Sequence, residues 1–135
     1  MVYYIHRQRV SGEIMATIMR VARVNLTHKD IKAYENKAKE LALSVTPDNI
    51  TKHASDMMYD RSISMESLIA TLNGTCAEAS RDFDRDTITV LMNSTDANDN
   101  IVAVSFDYYN LSIISAFARY FGKNIGVNPD NYFGI

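Results

Sequence analysis

Cysteine pairs, glycine-rich loops and long apolar runs are all missing from this 135-residue chain. With Cys76 alone no internal disulfide can form, and no Cys/His cluster has the spacing of a structural zinc site. No apolar stretch approaches the roughly 20 residues that a helix needs to cross a bilayer. Residues 1–10 are Tyr-rich, carry His6, Arg7, Gln8 and Arg9, and lack the apolar segment of a secretory signal. A cytoplasmic protein is therefore expected, and the five Asn-x-Ser/Thr triplets at Asn25, Asn49, Asn73, Asn93 and Asn110 are read as chance. The tetrapeptide Gly12-Glu13-Ile14-Met15 is one that a ribosome-binding sequence and start codon can encode, which leaves Met15 open as a native start. There is no phosphate-cradling glycine loop, no GxSxG elbow and no HExxH helix, so neither a cofactor nor a metal is expected.

What is present suffices for a core. Hydrophobic residues make up 47% of the chain and charged residues 22%, an ordinary globular balance. At this length one domain spanning 1–135 is expected. The net charge of −2 hides an uneven distribution. Residues 1–52 hold nine Lys/Arg against five Asp/Glu, or +4, while residues 53–135 hold five against eleven, or −6. A basic half can meet phosphate, and an acidic half can meet a basic partner or stay solvated.

Residues 2–10 look strand-like. Three helices are then expected, near 28–44, 47–60 and 64–73. Thr27, Thr46 with Pro47 behind it, and Ser64 supply the N-terminal signals. Ile31, Tyr34, Ala38, Leu41 and Val45 form the apolar stripe of the first helix, with Lys29, Lys32, Glu35, Lys39 and Glu40 largely outside it. Gly74 marks the stop after the third helix. The period then changes. Residues 87–92 and 101–106 are rich in β-branched and apolar side chains around a polar loop, the pattern of an antiparallel hairpin, and 76–83 is a further candidate strand. Residues 111–121, with Leu111, Ile113, Ile114, Ala116, Phe117, Ala118, Tyr120 and Phe121, read as a helix apolar nearly all round, so a homodimer through this segment is expected. The tail, 122–135, is expected to be irregular and pinned by Tyr132 and Phe133. The fold class is α+β: three helices in the N-terminal half packed on an antiparallel sheet, with an apolar C-terminal helix.

Several residues invite a chemical reading. Tyr3 and Tyr4 beside His6, Arg7 and Arg9 suit a base-stacking, phosphate-binding strip, although core burial of one tyrosine is the simpler account. Asp82, Asp84 and Asp86 alternate and would share one strand face, where a solvated acidic edge is the plain reading and a divalent cation the other. Cys76 reads as a small buried residue. Tyr108 and Tyr109 end an expected strand.

The most distinctive stretch is His53-Ala54-Ser55-Asp56-Met57-Met58-Tyr59-Asp60-Arg61-Ser62-Ile63-Ser64-Met65-Glu66. It resembles the helix pair of small RelE-like proteins and of the family with the pattern His-Ala-x-x-Arg-Met-x-x-Arg-x-Ile-Ser. It is also similar to the corresponding stretch of RegB, the endoribonuclease of T-even phages. His53, Met58, Arg61, Ile63 and Ser64 fit the pattern, and Met57 stands where the family has arginine. The resemblance implies helices packed on an antiparallel sheet and RNA cleavage without a metal, in a phage or mobile-element protein. His53 would serve as acid or base and Arg61 would hold the phosphate. Lys52, Tyr59, Arg7 and Arg9 are the other expected RNA contacts. Two alternatives remain: a non-enzymatic protein whose acidic half, with Asp82, Asp84, Asp86, Asp96 and Asp99, blocks a host factor, and a self-assembling subunit.

Overall fold

A computed structural model describes residues 4–10, 14–95 and 101–119. Among these residues six strands form one antiparallel sheet in chain order: β1 (Tyr4–Val10), β2 (Ile14–Ala22), β3 (Thr75–Asp82), β4 (Thr87–Thr95), β5 (Ile101–Asp107) and β6 (Ile113–Arg119). Between β2 and β3 the chain makes α1 (His28–Ser44), α2 (Lys52–Asp60) and α3 (Met65–Leu72). The fold is α+β, with three helices and an antiparallel sheet.

Local chemistry sets the helix ends. The Thr27 hydroxyl accepts the Asp30 amide at 3.1 Å, and the Ser64 hydroxyl accepts the Ser67 amide at 3.1 Å. The stretch expected as one helix over 47–60 is divided. Asn49 turns back to accept the Thr46 amide at 2.9 Å, closing a single 3-10 turn at Pro47–Asn49. Ile50 then bridges to Ile113, and Thr51 caps α2 by accepting the Ala54 amide at 3.1 Å. Helix α2 ends in a Schellman turn. Ile63 donates its amide to the Met58 carbonyl at 2.8 Å, Ser62 donates to Tyr59 at 3.2 Å, and Ser62 takes φ 57°. Ile63 is buried beyond the turn, and Ser64 opens α3 at once.

The hairpin over 87–106 forms as β4 and β5, in register from Thr89 opposite Asp107 to Thr95 opposite Ile101. Alternation sends Val90 and Met92 of β4, and Val102, Val104 and Phe106 of β5, into the core shared with Leu41 of α1, Met58 of α2 and Leu68 and Leu72 of α3. Strand β5 is buried at five consecutive positions, 102–106, so both of its faces are covered. Ser105 and Ser115 pair their hydroxyls on the face away from the helices.

One expectation fails outright. Residues 113–119 of the segment expected as an apolar helix are β6, paired with β5. The Asp107 carboxylate accepts the amides of Tyr109 and Asn110, each at 2.9 Å, and Leu111 takes φ 53°. The chain therefore reverses sharply after β5 and lays 113–119 along it. On a strand the apolar residues divide between two faces, and Ile113, Ala116 and Ala118 enter the chain's own core. The all-round apolar surface that motivated a homodimer through 111–121 is thus not present over 113–119. Tyr120, Phe121, the pinned tail with Tyr132 and Phe133, and the acidic residues Asp96 and Asp99 lie outside the described residues.

Candidate functional site

The expected catalytic pair occupies the two ends of α2. His53 is exposed in its first turn, and Arg61 is the C-cap residue. Eight residues at 1.5 Å rise separate them by about 12 Å along the axis. The surroundings of His53 are acidic. Asp60, seven residues on, shares its face, and Asp56 lies beside it with Lys52 drawn into an ion pair at 3.0 Å. Tyr59 is 86% exposed. The Arg61 guanidinium carbon lies 5.7 Å from the centre of the Phe117 ring on β6. Met57 is only 8% exposed, so the position where the family has arginine is a packing position here.

Arg7 and Arg9 lie on β1, opposite Thr17 and Met15 of β2. Strand β1 is one edge of the sheet, whereas α2 packs on β6, the other edge. Five inter-strand steps amount to about 24 Å across the sheet. The fold does not bring the expected RNA contacts Arg7 and Arg9 to the expected catalytic helix.

The alternating aspartates also have local duties. Asp82 ends β3, and Asp84 and Asp86 lie in the turn that follows, so the three do not share one strand face. Asp82 accepts the amides of Asp84 and Arg85 at 3.0 and 3.1 Å, Asp84 accepts the Thr17 amide at 2.7 Å, and Asp86 pairs with Arg81 at 2.8 Å. Among the described residues no His/Cys/Asp/Glu group is arranged to hold a metal ion.

Helix α1 carries the clearest basic surface. Lys29, Lys32 and Lys39 are all exposed and fall on its solvent side with Asn36. None of the three lysines makes an ion pair with a described residue, whereas Lys37 pairs with Glu40 at 3.7 Å. From Lys29 to Lys39 the row covers about 15 Å. Beside this row, one turn before Lys39, α1 is fixed by a polar clasp. Glu35 accepts from Arg23 at 2.8 Å and from the Cys76 amide at 2.9 Å, and Arg23 also donates to the Cys76 carbonyl at 2.8 Å. The clasp sits at the irregularity in β3 between Cys76 and Glu78, where the ladder with β4 slips. Burial raises the Glu35 carboxyl, but the Arg23 and Cys76 hydrogen bonds outweigh it and leave the group below its ordinary value. Cys76 is fully buried, and that burial pushes its thiol up to about 11, so it is a packing residue with little thiolate.

A second feature had no signal in the sequence. A cavity of about 180 Å³ lies between the start of α1 and the helix-facing side of β2, β3 and β4, with Asp30, Tyr34 and Arg81 among its lining residues. Burial, then the nearby Asp30 charge, holds the Tyr34 phenol above its usual range. Tyr34 packs edge-on against Tyr108 at 5.4 Å, and Tyr108 against Tyr109 at 5.6 Å, so the tyrosines ending β5 form an aromatic cluster with α1.

No family model, no curated protein and no solved structure matches the chain. Among the described residues no helix is long and apolar enough to cross a membrane.

Proposed function

We propose that this chain is an RNA-binding protein on a ribonuclease-like frame, one that holds single-stranded RNA through α1 and does not cut it. The observation that carries the reading is the row Lys29, Lys32 and Lys39, exposed along one side of a rigid helix with no ion-pair partner among the described residues. Cations already paired to carboxylates gain little from a phosphate, whereas unpaired lysines release the nucleic acid's counterions at no such cost. The resemblance over 53–66 supports RNA as the polyanion. The carboxylates around His53 support binding without cleavage.

The test is a gel assay with purified protein and a mixed-sequence single-stranded RNA, with and without chelator. The expected result is retarded, intact RNA under both conditions. Cleavage products that disappear in His53→Ala would overturn the non-catalytic part, and RNA that migrates unretarded at low salt would overturn the binding part.

A further inference from the structure

The tyrosines that end β5 present an aromatic ring at the surface on a braced turn. Tyr108 donates its amide to the Ile88 carbonyl at 2.9 Å, and the Asp107 carboxylate accepts the amides of Tyr109 and Asn110, each at 2.9 Å. Leu111 closes the turn by donating to the Asp107 carbonyl at 2.8 Å. The Tyr109 backbone is therefore held from both sides. Its ring meets Tyr108 edge-on, with centres 5.6 Å apart and planes at 76°. Such a contact covers at most one face of a ring, and Tyr109 remains 54% exposed. A ring already held in place loses little freedom when a flat ligand stacks on it.

This cluster is joined to α1. Tyr108 packs against Tyr34 at 5.4 Å, and Lys37 Nζ lies 5.7 Å from the centre of the Tyr108 ring. Lys29, Ala33 and Lys37 follow one another at four-residue spacing and so form one ridge of the helix. Ala33, between the two lysines, is exposed and small. Asp30 shares this side of α1 but is set between Lys29 and Lys37 along the chain, so the ridge keeps a positive balance. It covers about 12 Å, a few nucleotides of strand, and leads from the lysine row to the tyrosines.

We propose that Tyr109 is the base-stacking residue of this surface: an unpaired RNA base lies on its open ring while neighbouring phosphates of the same strand reach the lysine row that starts at Lys29. The proposal rests on the RNA-binding reading of α1 and adds to it the recognition of the base. A duplex hides its base faces within its own stack, so the site selects unpaired strands. Every base has a stacking face, so little sequence preference is expected.

The experiment compares two labelled ligands of equal length and charge, a mixed-sequence single-stranded RNA and an abasic RNA strand, titrated with the full chain at low salt. Wild type is expected to bind the ordinary strand at least roughly fivefold more tightly, the lower end of what one stacked base contributes. Tyr109→Ala should remove that preference by weakening the ordinary strand and not the abasic one. Its salt slope should match wild type, because no charge is lost. Tyr109→Phe, which keeps the ring, should restore the preference that Tyr109→Ala loses. Equal binding of the two strands by wild type would overturn the proposal. So would a Tyr109→Ala that weakens both strands alike, or a Tyr109→Phe as weak as Tyr109→Ala. The lysine variant Lys29→Ala, Lys32→Ala, Lys39→Ala separates the two readings. If it loses affinity for both strands while wild type does not distinguish them, stacking falls and the α1 reading stands. If neither strand is bound, both fall.

Discussion

Gly74 shows how one residue's requirement can differ from the reason its type suggests. It follows α3, where glycine commonly ends a helix. Yet a Cβ built there would meet the Asn93 carbonyl oxygen at 2.2 Å, so the position is closed by β4. Gly74→Ala is therefore expected to cost roughly 2 kcal/mol or more in denaturant unfolding, well beyond an exposed glycine replacement. The clasp at Glu35 makes a prediction in pH. Its folded-state carboxyl lies below the ordinary value, so its contribution is present above the unfolded carboxylate range and is lost as pH falls through the folded value. Cys76 works in the opposite direction. Its folded value of about 11 lies above the ordinary thiol value, so its contribution is complete below the unfolded value and fades as pH rises toward about 11. Unfolding curves followed across pH should show Glu35→Gln flattening the acid limb and Cys76→Ala flattening the alkaline limb.

At the scale of elements, the stretch that carries the family resemblance has a structural account of its own. In Arg61-Ser62-Ile63-Ser64 the arginine is the C-cap of α2, the first serine takes the left-handed position, the isoleucine is buried as the hydrophobic closure, and the second serine caps α3. Such a pattern specifies a turn between two helices whether or not RNA is cut. Met57→Arg accordingly should not create activity. It should destabilise the fold by about 2–4 kcal/mol, because it forces a charge into a packed position, while His53→Ala on the exposed side should change stability by less than about 0.5 kcal/mol. Thermal or denaturant unfolding of both variants checks this pair, and a neutral Met57→Arg would return that face to solvent. The same scale shows what was legible in the sequence. Thr27 and Ser64 marked real caps, and the alternation of Ile88, Val90 and Met92 marked a real strand. Residues 113–119 were not legible, because Ile, Ala and Phe in a short apolar run suit a buried strand and a buried helix alike. What decided between them was the Asp107 turn and the pairing with β5, both set by contacts at a distance from the run.

For the molecule as a whole, topology decides which cations can act together. Residues 1–52 carry the positive balance, but the fold distributes it over β1, β2, α1, the start of α2 and the Arg23 clasp, and among the described residues only α1 holds a row of exposed lysines without ion-pair partners. The candidate site was legible only in part for the same reason. Lys29, Lys32 and Lys39 fell outside the apolar stripe of α1, but the distance between β1 and α2 depends on the order of six strands, and the cavity at Asp30 and Arg81 depends on three of them. The most direct test of the RNA-binding account is fluorescence anisotropy of a labelled single-stranded RNA, titrated with wild type and with the triple variant Lys29→Ala, Lys32→Ala, Lys39→Ala over a range of salt. If all three lysines meet phosphates, the slope of log K against log salt should fall in magnitude by about 2 in the variant, with the RNA intact throughout. Equal affinity and equal slope for the two proteins would contradict the account.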